Sequence, residues 1–308
     1  MRQQRFIIKI ANVLAIVVQP TQSFTPVNHI QRLGLLAARS QPKPQPQKQQ
    51  QQEQQRPLTM TSQTENNTGN FLLSNLDQLS TAGPKRLILA SQSPRRREIL
   101  DMMGLKERYT VNPSPLDEEK LQIELSKMEM SPQEYTKTLA EEKANALAEE
   151  IVSNENNVDK GKDDDDEEHE VTFILGSDTI VDFRGRILEK PKSHENAVEM
   201  LKNLSGEWHE VHTGVALYRI DHKLGSRGKV QLATSYTETS RVKFSVLSMK
   251  DIEAYVGTGE PMDKAGSYGI QGIGGQFVEK MEGDFFTVMG LPMNSLSRAI
   301  SEALSLNP

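Results

Sequence analysis

The segment Leu87–Leu100, LILASQSPRRREIL, narrows the possible folds more than any other part of the chain. Its four leading apolar residues, Leu87 to Ala90, have the length and bulk of a buried strand. Ser91, Gln92, Ser93 and Pro94 then supply a turn with donors and little bulk. Ser93 has the chemistry of an N-cap and Pro94 that of a first helical residue, so a helix is expected through Leu100 to about Gly104, a residue that tolerates positive φ. A strand feeding a helix N-terminus through a serine-rich turn aims backbone N–H groups at one spot, and arginines beside it add charged donors. The pattern points to a phosphate at Ser91 and an adjacent arginine. The competing reading is an exposed basic first turn that opposes the helix dipole. The GxxxxGK[ST] pattern does not occur, which excludes a P-loop.

From Lys85 onward strand-like and helix-like segments alternate, as in an α/β fold. Tyr109–Asn112 reads as a short strand, and Pro113–Glu119 as a loop carrying Asp117, Glu118 and Glu119. Ser131-Pro-Gln-Glu134 has capping-box spacing and predicts a helix to about Glu150. On that helix Tyr135, Leu139, Lys143 and Leu147 share a face, so Lys143 either snorkels from an apolar stripe or points into a cleft that needs a cation. Val171–Gly176 is the most strand-like run and ends in Ser177-Asp178-Thr179. An aspartate at a strand end among core residues costs several kcal/mol unless a cation or water network compensates, which marks Asp178 as functional. Asp182 belongs to a following hairpin through Phe183–Arg186, after which Ile187–Pro191 delivers Lys190. A helix capped by Ser193 runs to Gly206. His209 and His212, three apart in a strand, face opposite ways and are not expected to share a metal. A strand over Thr234–Val246 and a helix capped by Ser248 follow. Seven of the 20 glycines lie between Gly257 and Gly275, which is therefore expected to be a loop that approaches a ligand closely, around Gln271, whose amide suits a nucleobase edge.

Residues 1–84 differ in kind. Arg2 and Arg5 precede an apolar segment interrupted by Lys9 and too short for a stable membrane span, and no acid occurs before Glu53. This reads as a targeting leader, with TQSFTPV similar to the Ser-Phe junction of bipartite plastid leaders. Translation from Met60, and a cytoplasmic location, is the alternative. Gln41–Gln55 is nearly all Gln, Pro and Lys and is expected to be disordered. The expected organisation is therefore a disordered leader over 1–84 and one domain over 85–308, interrupted by the acidic insertion 154–170. With no cysteine, disulfides and thiolate metal sites are excluded. A net charge of −6 argues against a nucleic-acid polymer as partner.

ASQSPRRREIL, TLAEEKANA, GSDTIV, ILEKP, LSGEWHEVHTGVAL, GEPMDKAGSYGIQG and GDFFTVMGLP, in that order over about 85–308, resemble the Maf family of nucleoside triphosphate pyrophosphatases. The resemblance implies a long mixed β-sheet flanked by helices around a central nucleotide cleft, a homodimer, and a divalent metal, Mg²⁺ or Mn²⁺. It also implies cleavage of a nucleoside triphosphate between the α and β phosphates. Position by position it places the substrate-binding residues at Ser91, Arg95, Thr179 and Gln271. The catalytic set falls on Asp178 as proton acceptor, Lys143, Lys190 and Glu118, with Asp178 and Glu118 toward the metal. Arg95, Thr179 and Gln271 resemble the branch acting on dTTP and UTP rather than the one preferring 7-methyl-GTP. Of the three arginines only Arg95 receives a role. Two other classes compete. A haloacid-dehalogenase-type phosphatase needs DxDx[TV], which SDTIVD lacks, whereas a non-catalytic nucleotide sensor tied to cell division would keep the same cleft.

Overall fold

The computed structural model describes residues 70–155, 170–222 and 228–305, all within the unit Thr64–Pro308. Among them seven strands form one mixed sheet: β1 (Lys85–Leu89), β2 (Tyr109–Val111), β3 (Glu170–Phe183), β4 (Arg186–Leu188), β5 (Trp208–His222), β6 (Lys229–Phe244) and β7 (Val278–Glu282). The order is β2-β1-β3-β5-β6-β7, with β4 on the free end of β3. β1 runs parallel to β2 and β3, and every other pairing is antiparallel. Seven helices flank it: α1 (Pro94–Leu100), α2 (Glu118–Leu125), α3 (Pro132–Glu155), α4 (His194–Leu204), α5 (Met249–Gly257), α6 (Phe285–Met289) and α7 (Met293–Ser305). This is the long mixed sheet with flanking helices that the sequence implied. Among the described residues no helix is long and apolar enough to cross a membrane.

Local signals account for most element ends. Pro94 opens α1, and the turn after it closes with Gly104 at φ 82°. The Ser131 hydroxyl accepts from Glu134 N at 3.2 Å while the Glu134 carboxylate takes the Ser131 N–H at 3.1 Å, a reciprocal capping box. Ser193 and Ser248 accept from the backbone of Asn196 and Asp251 and cap α4 and α5.

Glycine decides how closely α3 meets the sheet. A Cβ at Gly176 would lie 2.3 Å from Ala140 O, and one at Gly214 would lie 2.3 Å from Thr136 O. The helix backbone therefore rests on β3 and β5 without side chains between, and Ala140, Ala144, Leu147 and Ala148 complete an apolar layer with Ile174, Ala216 and Ile220. On the opposite face Leu87, Leu89, Phe173, Leu175 and Val215 pack against α1 and α7, and toward the far end Val181, Val211, Val242 and Phe244 pack against α4 and α5.

Four expectations change. The folded part begins before Lys85: Leu72–Gln78 is a 3₁₀ helix, and Leu72 and Leu79 are buried in the core with Leu296 and Ile300. Their burial escapes a reading that treats residues 1–84 as one disordered leader. The acids at Asp117–Glu119 start a helix instead of lining a loop, because Asp117 accepts from Lys120 N at 3.1 Å as an N-cap. β3 continues to Phe183, so Asp178 sits in mid-strand and not at a strand end. Gly257–Gly275 is not a plain loop but holds short 3₁₀ turns at Glu260–Asp263, Ala265–Ser267 and Ile273–Phe277. The targeting segment and Gln41–Gln55 lie outside the described residues, as does nearly all of the acidic insertion, at 156–169.

Candidate active site

A break in strand pairing makes the cleft. β1 ends at Leu89, and Ala90 N makes the last bond across to Leu175 O at 2.8 Å. β4 takes up the same edge only from Val181. Between them Gly176–Ile180 has no strand partner on that side, so Asp178 and Thr179, on opposite faces of β3, both border one cavity of about 440 Å³. The turn Ser91–Ser93 and the start of α1 form one wall, and the 3₁₀ segments around Asp263 and Gln271 the other.

All eight residues singled out from the sequence line this cavity: Ser91, Arg95, Glu118, Lys143, Asp178, Thr179, Lys190 and Gln271. At its base the Lys143 ammonium donates to Asp178 Oδ1 at 2.7 Å and pairs with Glu118 Oε2 at 2.9 Å. The Gly176 and Gly214 contacts with α3 make this possible, because they bring the helix close enough for Lys143, which stands between the Ala140 and Ala144 contacts to Gly176, to reach mid-strand. Glu118, in the first turn of α2, is the open member of the trio, its side chain 44% exposed. Two carboxylates converging beside a cavity are hard oxygen ligands of the kind Mg²⁺ or Mn²⁺ takes, with phosphate and water supplying the remaining positions. The donor set at Asp178 and Glu118 fits such an ion.

Arg96 carries a role that sequence reasoning missed. It is buried, donating from Nε to Gly290 O at 3.0 Å, from Nη1 to Ser91 Oγ at 2.9 Å and from Nη2 to Thr179 Oγ1 at 3.4 Å. Burial lowers its pKa from the usual arginine value, opposed by the nearby charge of Asp178. The signal was present: Arg96 shares the buried face of α1 with Ile99 and Leu100, whereas Arg97 does not. A chain of hydroxyls continues from it. Thr213 Oγ1 donates to Thr287 O at 2.7 Å, so it must accept from Thr179, 2.9 Å away, whose own oxygen accepts from Arg96. The single hydrogen of Thr179 is thereby used within the wall, which suits a role in fixing Arg96.

Arg95 donates to Asp263 Oδ2 at 2.8 Å and to Asp263 O at 3.1 Å, and Lys264 reaches Asp263 Oδ1 at 2.6 Å. Burial pushes the Asp263 carboxyl up, but the donors from Lys264 and Arg95 outweigh it and the net shift is downward. Nothing local in the sequence announces this pair, which joins residues 168 apart. Lys190 and Gln271 are exposed at the rim. Behind Lys190, the Tyr135 hydroxyl donates to Glu189 Oε1 at 2.5 Å, and burial with that acid raises the tyrosine pKa. Five cations line the cavity, Arg95, Arg96, Lys143, Lys190 and Lys264, against three acids, Glu118, Asp178 and Asp263. In a chain of net charge −6 this excess concentrates positive potential where an anion enters.

Residues 86–303 match the family described as Maf-like protein. Among similar curated proteins, the dTTP/UTP pyrophosphatase of Clostridium tetani is 41% identical over 215 residues, covering 70% of this chain and 96% of that protein. The dTTP/UTP pyrophosphatase of Halalkalibacterium halodurans is 40% identical over 216 residues, covering 70% and 95%. That of Bacillus velezensis is 40% identical over 218 residues, covering 71% and 96%. With seven ordered motifs, a matching sheet and relatives aligned over nearly their full length, this chain belongs to the Maf family.

Proposed function

We propose that the chain hydrolyses pyrimidine nucleoside triphosphates, dTTP and UTP first, to the monophosphate and pyrophosphate. The observation that carries this is the Lys143 ammonium held between Asp178 and Glu118 at the base of a cation-rich cavity. The names of the similar proteins supply the substrate class.

The chemistry follows from charge. A triphosphate brings about four negative charges, which Arg95, Arg96, Lys143 and Lys190 offset in a cleft partly screened from water. With Oδ1 engaged by Lys143, Asp178 keeps Oδ2 to orient a water and accept its proton as the oxygen attacks the α phosphorus. Charge then develops on the departing pyrophosphate, where Arg95, Lys190 and the backbone N–H groups after Ser91 stabilise it. Asp178 and Glu118 would hold the divalent cation, which when bound neutralises phosphate charge. Gln271 at the rim offers one donor and one acceptor to the pyrimidine edge. Homodimerisation and organellar targeting by residues 1–84 belong to the same proposal, resting on the family resemblance and the leader's composition. Light scattering and imaging of the full chain test them.

The deciding experiment is product analysis after incubation with dTTP and Mg²⁺. Monophosphate plus pyrophosphate is expected, whereas diphosphate plus phosphate indicates a phosphatase and no turnover a sensor. Asp178→Asn is expected to lower kcat roughly 10³-fold while nucleotide binding persists; undiminished pyrophosphate release from it would remove Asp178 as the base.

A further inference from the structure

A second group of ligating side chains lies outside that cavity. Asp182 on β3 pairs in register with Glu210 on β5, and His212 is two residues further along β5, so all three project from one face of the sheet. It is the face that carries Asp178, four residues, or roughly 13 Å, back along β3. One ligand atom from each lies within 4.8 Å of the others.

His212 distinguishes this group from an ordinary surface cluster. Its side chain is fully buried, and its Nδ1 sits 2.8 Å from Thr239 Oγ1. Its Nε2 is buried with no hydrogen-bond partner, yet faces Glu210 Oε2 at 3.5 Å and Asp182 Oδ2 at 3.9 Å. Those gaps exceed a hydrogen bond. The gap to Glu210 falls within the separation of two ligands held on one small ion, roughly 3.3–3.6 Å when each stands about 2.0–2.2 Å from zinc at a tetrahedral angle, and the gap to Asp182 lies a few tenths of an ångström beyond it. The carboxylates are free to serve. Asp182 uses Oδ1 to hold the Gly185 N–H at 2.8 Å and leaves Oδ2 toward the histidine. Arg241, the cross-strand neighbour of Glu210, is turned to Glu282 at 2.8 Å and to the Trp208 ring. Glu210, its side chain 40% exposed, gives an ion a path from solvent.

We propose that Asp182, Glu210 and His212 form a second cation site, selective for a divalent transition metal of the zinc class, with water completing the coordination. An imidazole nitrogen among the ligands disfavours Mg²⁺ and Ca²⁺, and the bond from Nδ1 to Thr239 sets the ring so that Nε2 is the ligating atom. Burial lowers the His212 pKa against the pull of Glu210 and Asp182, which keeps the ring neutral as a metal ligand requires. A bound ion would tie β3 to β5 beside the hairpin that leads into Lys190.

The test is titration of the metal-stripped full chain with Co²⁺, read by visible d–d absorption, with Zn²⁺ as competitor. The site gives a Co²⁺ spectrum that Zn²⁺ displaces. That spectrum persists in Asp178→Asn/Glu118→Gln, which removes the carboxylates of the cavity, and is lost in both His212→Gln and Glu210→Gln. If His212→Gln fails to fold by circular dichroism, Asp182→Asn replaces it, and Glu210→Gln, at a half-buried position, remains informative. Absence of a spectrum, or any other pattern across the variants, overturns the proposal, including survival in the second set through the acidic run before Val171.

Discussion

Lys143 shows how much one side chain can hold together. Its ammonium is the shared partner of a mostly buried aspartate and a half-open glutamate. Replacing it by Met keeps the volume and leaves Asp178 beside an apolar group. Removing one partner of a buried pair costs about 3 kcal/mol, and this variant is expected to lose roughly that in urea unfolding and about 100-fold in turnover. Adding Asp178→Asn should restore part of the stability but none of the activity. His209 acts on stability alone. It is buried edge-on against Phe244 and Tyr268, with Nε2 2.8 Å from the Tyr268 hydroxyl, and burial lowers its pKa to about 3. The unfolded chain binds that proton near pH 6.5, so its stabilisation is complete above pH 6.5. It is lost as pH falls toward 3, at up to about 1.4 kcal/mol per pH unit. Urea midpoints between pH 7 and 4 should fall less steeply for His209→Gln than for the natural chain.

At the scale of elements, the close approach of α3 to β3 and β5 sets the site. Adding one methyl at Gly176 drives a Cβ against the Ala140 carbonyl, backbone that cannot turn aside. Gly176→Ala is expected to cost about 2–3 kcal/mol by overpacking and to lift Lys143 from Asp178, lowering kcat. Gly257→Ala, at the end of α5 with open space around the position, is the control and should be neutral or slightly stabilising in the same melts. A kcat unchanged in Gly176→Ala would show that the helix seat does not position the lysine. The strand-pairing gap works at the same scale. β1 and β4 each bond part of one edge of β3, and the unpaired residues between them become the border of the cavity. β1 was legible as an apolar run and β4 only as the segment that follows a hairpin, but the gap was not, since it depends on where two separate pairings stop.

For the molecule as a whole, the folded unit extends upstream of the region that carries the motifs. Leu72 N donates to Ser297 Oγ at 3.0 Å, Asn75 Nδ2 to Ser301 Oγ at 2.9 Å, and Lys85 Nζ to Leu304 O at 3.1 Å, which joins this segment to α7. A chain starting at Lys85 forfeits the burial of Leu72 and Leu79, roughly 3–6 kcal/mol, relative to one starting at Asn70. Its melting temperature should be several degrees lower; equal melting temperatures would mean that the segment adds nothing. The sequence alone determined what depends on near neighbours: the strand and turn at Leu87–Pro94, the caps at Ser131, Ser193 and Ser248, the stripe that buries Lys143, and the ordered motifs of the family. It also marked eight of the residues that line the cavity. It could not show that Arg96 is the arginine built into the wall, that Arg95 meets Asp263, or that Lys143 is shared by Asp178 and Glu118. Nor could it bring Asp182 and Glu210 to the free nitrogen of His212. Those contacts join residues on different elements, and they exist only once strand register and the seating of α3 fix which side chains face each other. Periodicity and capping describe one element at a time, so tertiary packing alone decided them.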